Sequence, residues 1–362
     1  MSGRVIVMPA AEELEWAPAD PEQRAVTQPE TPWWQTGPTF ETEADRPAPP
    51  MLVDNLVPGE GIALLHADPR TLKTWIAEDV AIGLASGTPA LTHLDTSGPA
   101  TVLYVSNEDG KRHTADRLRK LARGRGLPGI PERLLLAVHA GAWLDDDAWQ
   151  AKVITLAKQA HVRVVILDPC RSLTAAVDKG PSDLQPFARF LRLLMQAADC
   201  AVLLVHHDTK PLPGQPDTRK RAYRASGGGL FSIADSPVHA ERVGDEPVVL
   251  LYPNNWKFSE TPGPLEVRLT VTDDTAVLVA VPTDETSAAD RALHTKILDY
   301  LAEHPDTSGR QLAQGLRCRQ ESLRAALEDL TTAGNVASRP GPKNSKLWRT
   351  TASASRGQTD ED

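Results

Sequence analysis

Leu64-Leu65-His66-Ala67-Asp68-Pro69-Arg70-Thr71-Leu72-Lys73-Thr74-Trp75 reads as the end of an apolar strand, a turn closed by Lys-Thr, and the start of a helix. The helix continues through Ile76-Ala77-Glu78-Asp79-Val80-Ala81-Ile82-Gly83-Leu84. Strand, turn and helix in this order make a phosphate-binding loop. Backbone N–H groups at the helix N-terminus face the anion, the lysine reaches the β and γ oxygens, and the hydroxyl binds Mg²⁺. Candidate binding residues are therefore Ala67, Asp68, Pro69, Arg70, Thr71, Leu72, Lys73, Thr74 and Trp75, with Thr74 on the metal. The pattern G-x-x-x-x-G-K-[ST] is met only at Lys73-Thr74, because Ala67 and Leu72 stand at the two glycine positions. Glycine is favoured there for its access to unusual φ/ψ and for close backbone approach. An ordinary strand–turn–helix with a solvated lysine fits the same letters, so the downstream pattern has to decide.

Downstream, residues 51–283 alternate between β and α patterns. Short apolar runs at 61–66, 101–106, 134–139, 162–168 and 201–206 are separated by helical stretches such as 148–160 and 184–198. That alternation predicts an α/β fold whose mostly parallel sheet is covered on both faces. Runs at 248–252, 265–272 and 276–281 lack intervening helices and predict an antiparallel extension. Residues 1–50 hold nine prolines and nine acids against three bases, a composition that predicts disorder. Trp33-Trp34 is the apolar exception there, a tether onto the chain's own core or a docking point for a partner.

After residue 284 the pattern predicts a helix at 288–303, two more helices over 308–333, and a hairpin flanking Pro340-Gly341-Pro342-Lys343-Asn344. This is a winged helix-turn-helix over 284–350, with 351–362 as a disordered tail. Its second helix would present Arg319, Gln320, Ser322 and Arg324, and its wing Lys343 and Lys346, residue types suited to phosphates and base edges. The same basic residues also suit a module that docks protein. The whole chain of 362 residues carries a net charge of -9, whereas residues 287–350 hold ten bases against seven acids. Electrostatic contact with nucleic acid would thus be local. Three scattered cysteines, Cys170, Cys200 and Cys318, form no zinc pattern and fit a reducing compartment, so a cytoplasmic location away from membranes is expected.

Four further positions bear chemistry. Strand 162–168 delivers Asp168 at its C-terminal edge, where a sheet of this kind holds Mg²⁺ opposite the phosphate loop. Glu108, at the end of 101–106, is suited to orient an attacking water, while Asp109 is suited to cap the next helix. His206-His207 close another strand; no further ligands at metal spacing lie nearby, so zinc is disfavoured, and a γ-phosphate contact fits a polar strand end. Arg224 precedes Ala225-Ser226-Gly227-Gly228-Gly229, either a flexible connector or a mobile loop bearing an arginine finger.

Taken in order, Lys-Thr, Glu-Asp, Asp, His-His and Arg-x-Ser resemble the RecA-like ATPases of the plasmid replicative helicase RepA type, over residues 51–283. Asn254-Asn255-Trp256-Lys257-Phe258 falls where that family carries a lysine-bearing strand end. The resemblance implies catalytic roles for Lys73, Glu108, His207 (as γ-phosphate sensor) and Arg224 (acting in trans), with Thr74 and Asp168 on Mg²⁺. It also implies ATP hydrolysis coupled to movement on DNA by a homo-oligomeric ring, a hexamer being one size to test. Single-stranded DNA would lie in the ring and duplex at the winged helix. Ala67, Leu72 and Ala225 depart from the family pattern and leave open a second reading, a non-catalytic nucleotide-sensing DNA-binding regulator.

Overall fold

A computed structural model describes residues 36–45, 47, 49–178, 182–208, 229–243, 246–254, 256–257, 260–283, 285–316, 318, 320–342 and 345–351. Residues 1–50 form a unit of their own. Its described part is α1 (Gly37–Glu41) and a 3-10 turn at Thr42–Asp45. Thr36 caps α1 by accepting the Thr39 N–H at 3.4 Å, and no residue of the helix is buried. Composition alone predicts no regular structure here; capping and a proline in the first turn are enough for a single turn. Trp33 and Trp34 lie outside the described residues.

The second unit starts at Met51. Its first elements are β1 (Ile62–Ala67), α2 (Lys73–Ser86), β2 (Thr101–Ser106), α3 (Lys111–Gly124), β3 (Leu134–Val138), α4 (Asp147–Gln159) and β4 (Val162–Leu167). Then come α5 (Leu184–Ala198), β5 (Ala201–His207), α6 (Gly229–Ile233), β6 (Ser236–Arg242), β7 (Val248–Pro253), β8 (Leu265–Val271) and β9 (Ala276–Pro282). Nine strands make one sheet in the order β3-β2-β4-β5-β1-β6-β7-β8-β9. Pairing is parallel from β3 to β6 and antiparallel from β6 to β9. This is a mostly parallel sheet with an antiparallel extension, as the alternation predicts.

β6 is the strand that periodicity misses. Ser236-Pro237-Val238-His239-Ala240-Glu241-Arg242 contains a proline and three charged or titratable side chains, which argue against a central strand. It nonetheless pairs with β1 on one side and β7 on the other, and buries its first five residues.

Each face of the sheet carries its own apolar layer. Leu65, Ala67, Tyr104, Ile166, Leu203 and Val205 pack with α2 and α3 on one face. On the other, Leu64, Leu103, Val165, Val202 and Leu204 pack with α4 and α5. Alternation along each strand sorts the residues in this way. It also fixes which way the polar residues at the strand ends point.

Two contacts seat the first layer. Asp79, fully buried in α2, accepts the Leu91 N–H at 2.6 Å and two Arg125 N–H groups at 2.6 and 2.7 Å, which ties α2 to the end of α3. Gly124, at the C-terminus of α3, lies so close to β9 that a Cβ there would fall 2.1 Å from the Ala276 carbonyl oxygen. Gly124→Ala must push helix and strand apart. We expect a loss of roughly 1–3 kcal/mol in denaturant unfolding; an unchanged midpoint would show that α3 moves freely over β9.

The remaining elements are α7 (Glu285–Glu303), β10 (Thr307–Ser308), α8 (Gly309–Leu316), α9 (Gln320–Thr332), β11 (Val336–Pro340) and β12 (Lys346–Thr350). They enclose a separate core of Ile297, Leu301, Leu312, Leu323, Leu327 and Leu330, and their three strands pair as β10-β12-β11. Ser308 and Gln311 cap α8 reciprocally: the Ser308 N–H donates to the Gln311 side chain at 3.1 Å, and the Gln311 N–H donates back to the Ser308 hydroxyl at 3.4 Å. No helix among the described residues is long and apolar enough to cross a membrane.

Candidate functional site

β1 is buried throughout and ends at Ala67. Ala67 needs none of the freedom of glycine: it continues the strand, and its methyl group lies in the apolar layer beneath α2. Leu72 is different. It caps α2 with φ 58°, a left-handed conformation that glycine adopts without strain, and Arg70 two residues earlier has φ 63°. Left-handed backbone costs an L side chain roughly 1–2 kcal/mol, so the loop keeps its glycine-type shape with a leucine in the strained position. Leu72 recovers part of that cost by packing its side chain against the core.

The loop delivers Lys73 and Thr74 into the first turn of α2, where the helix dipole and unpaired N–H groups favour an anion. The Lys73 Nζ donates to Asp68 O at 2.6 Å, Ala67 O at 3.1 Å and Thr71 Oγ1 at 3.1 Å. Burial lowers its pKa to about 8, although Asp208, Asp168, Asp68 and Glu108 all oppose the shift. The ammonium is thus held against the loop's own oxygens and surrounded by carboxylates.

Asp168 follows β4 and is fully buried. Its Oδ2 accepts the Tyr104 hydroxyl at 2.6 Å, and its Oδ1 lies 3.4 Å from the Thr74 hydroxyl. Burial raises its pKa to about 6. A hydroxyl and a carboxylate side by side are oxygen donors of the kind Mg²⁺ takes, so these two residues fit that ion. Glu108, after β2, stands 3.7 Å from the His207 imidazole at the end of β5. His207 is the main group that holds the Glu108 carboxyl below its usual range. The two histidines that close β5 part company: His207 turns to the α2 face, while His206 turns to the other and is buried.

Sequence reasoning missed Arg117 of α3. Its guanidinium holds fully buried Glu78 of α2 through Nε at 2.9 Å and Nη2 at 2.8 Å, and reaches Asp109 through Nη1 at 2.8 Å. It also lies 6.0 Å from the centre of the Trp75 ring. Asp109 therefore does not cap α3; Gly110 holds the cap position, and Asp109 joins the ion-pair cluster instead. The signal was present in the letters: two acids, Glu78 and Asp79, stand in an otherwise apolar helix, and buried acids require partners. Arg117, Lys73, Thr74, Trp75, His207 and Arg242 line a cavity of about 400 Å³, a size typical of small-ligand sites.

Lys73, Thr74, Asp168, Glu108 and His207 thus converge from four stretches of chain on one loop. Residues 34–212 match the family model of an AAA domain. The AAA match takes in all five converging residues and stops before β6. No curated protein matches the chain. Among solved structures, one described as a DnaB-like replicative helicase and its interactions with primase is similar, with a TM-score of 0.45 and 15% identity. That likeness covers 60% of this chain and 58% of the other, so the chain spans less than two thirds of it.

Other expected residues fall elsewhere. Arg224 lies outside the described residues, as do Arg319, Lys343, Asn255 and Phe258. Lys257 pairs with Asp235 at 3.0 Å, and Asp235 also accepts the Ile62 N–H at 2.9 Å. Lys257 therefore sits at the start of β1, the end remote from the phosphate loop. Gln320, Ser322 and Arg324 are exposed on α9, where Arg324 contacts Glu328 at 3.2 Å. Lys346 is exposed on β12, 5.9 Å from the centre of the Trp348 ring.

Proposed function

We propose that the chain binds ATP with Mg²⁺, hydrolyses it, and couples hydrolysis to movement on DNA as a helicase or translocase of a plasmid or mobile-element replication type. The observation that supports this most is the convergence of Lys73, Thr74, Asp168, Glu108 and His207 around one loop at a helix N-terminus. In this reading Thr74 and Asp168 hold Mg²⁺, which when bound offsets charge on the β and γ oxygens. Lys73 exchanges a loop carbonyl for a phosphate oxygen. Glu108, kept ionised by His207, orients the attacking water and takes its proton, while His207 faces the γ-phosphate. Arg224 would reach a neighbouring subunit's nucleotide in a homo-oligomeric ring around single-stranded DNA.

The test is steady-state ATP hydrolysis with and without single-stranded DNA. Turnover that rises with DNA supports a DNA-dependent motor; a folded, assembled sample without turnover sinks this reading. Within it, Glu108→Gln should lower turnover by about 10²-fold and leave nucleotide binding intact. An equal loss of binding would remove Glu108 from the water-activating role.

At the C-terminus, the order helix, strand, helix, helix, hairpin supports a winged helix that contacts duplex DNA through α9 and the β11–β12 wing. Arg324→Ala and Lys346→Ala should each reduce the slope of log affinity against log salt by about 1. Unchanged slopes would return this module to protein docking, a role that Glu321, Glu328 and Asp329 on the exposed face of α9 also suit.

A second reading, a nucleotide-sensing regulator without turnover, draws on the strained Leu72 and on Lys73 being fully engaged by its own loop. Nucleotide binding without hydrolysis would favour it.

A further inference from the structure

Register places three histidines in one row across the sheet. His66 of β1 pairs with His206 of β5 on one side and with His239 of β6 on the other. In-register neighbours point to the same face, and for this row it is the face away from α2. Asp208, one residue beyond β5, bridges two members of the row. Its Oδ1 lies 2.8 Å from His66 Nδ1, and its Oδ2 lies 3.1 Å from His239 Nε2. The two imidazole rings are tilted at 49° with centres 4.9 Å apart. All three side chains are at most 1% exposed, and one ligand atom from each lies within 4.8 Å of the other two.

We propose that His66, Asp208 and His239 form a transition-metal site, zinc being the expected ion, on the face of the sheet opposite α2. Two imidazoles and one carboxylate are a donor set suited to zinc rather than to Mg²⁺ or Ca²⁺. Donor atoms around one zinc lie roughly 3–3.5 Å apart. The two Asp208 contacts already have about that spacing, and the two imidazoles would close from within 4.8 Å to bind one ion. Each ligand comes from a different strand or strand end of a rigid sheet, so the trio is ordered before any ion arrives, which is what tight binding requires. Bonding the ion requires each imidazole to turn a lone pair rather than an N–H toward it, which a change of tautomer supplies.

The site is separate from the Thr74–Asp168 pair yet touches the same loop. The Asp208 N–H donates to Ala67 O at 2.8 Å, and Lys73 Nζ donates to that same oxygen at 3.1 Å. A metal on Asp208 would pin the root of the phosphate loop to β5 and β6. The sequence gives no warning, since the three ligands lie 31 to 173 positions apart and only strand pairing unites them.

The experiment uses the full chain with any affinity tag removed. Metal content is measured after dialysis, and chelator-stripped protein is then titrated with Zn²⁺ and with Co²⁺. We expect about one zinc per chain, a visible d–d spectrum for the cobalt form, and a higher melting temperature with metal than without. His239→Gln and Asp208→Asn should abolish the cobalt spectrum, whereas Asp168→Asn should leave it unchanged. A folded wild-type chain that holds no zinc, shows no cobalt spectrum and gains no thermal stability from either ion overturns the proposal. So does zinc that remains bound in a folded His239→Gln protein. If that variant fails to fold, the wild-type titration decides alone. Each of these readouts is independent of ATP turnover, so failure here and failure of the ATPase reading are distinguishable.

Discussion

Lys73→Ala is expected to lower ATP turnover by about 10³-fold while the protein stays folded. The lysine opens α2 at the end of the loop, and its Nζ makes three short contacts with the loop itself. Alanine removes the group that would meet spreading charge on the γ-phosphate. The carbonyls of Ala67 and Asp68 lose one donor each, but Ala67 O keeps the Asp208 N–H, so circular dichroism should be unchanged. Because burial lowers the lysine to about pH 8, the wild-type protein should lose kcat/KM as pH rises past that value and the ammonium deprotonates. Mixing Lys73→Ala with Arg224→Ala subunits should restore part of the activity if the finger acts between neighbours. Turnover that survives Lys73→Ala would mean that the loop is not the nucleotide site.

Arg117→Ala should be the most destabilising single change at the site. It leaves the Glu78 carboxylate buried and unpaired, a situation that costs roughly 3–5 kcal/mol, equivalent to a fall of about 10 °C in melting temperature. The pH dependence gives the mechanism away. Burial already pushes Glu78 up to about 7 with Arg117 in place. Between its ordinary value of 4.5 and 7, the folded state holds a proton that the unfolded state has released, so stability falls as pH rises through that window. Without Arg117 the folded-state value climbs further, and the loss continues above pH 7. The deficit against wild type should therefore be larger at pH 8 than at pH 5. An equal deficit at both would assign the effect to lost packing on Trp75 rather than to the stranded charge. Replacing both partners, as in Glu78→Gln with Arg117→Met, should recover most of the stability.

Much of the candidate site is legible in the letters because each of its residues ends a buried strand or opens a helix. Lys73, Glu108, Asp168 and His207 stand at such transitions, and alternating periodicity locates transitions well. What the letters hide is whatever depends on which strands become neighbours. β6 conceals itself behind Pro237, and with it goes the partner of His66. Arg117 is invisible for a related reason: its place in the site comes from the packing of α3 on α2, not from spacing along the chain. Glu78 and Asp79 advertise a need for cations without naming Arg117 and Arg125 as the ones that answer it.

β5 lies between the strand that feeds the phosphate loop and the strand that carries Asp168. Its last residues alternate across the sheet, with His207 on the α2 side and His206 on the far side, followed at once by Asp208. One short length of backbone therefore works as a see-saw with the sheet as its pivot. A tilt of the peptide that carries His207 must move the histidine–aspartate row behind it. A backbone shift at this one peptide would thus be felt on both faces of the sheet at once.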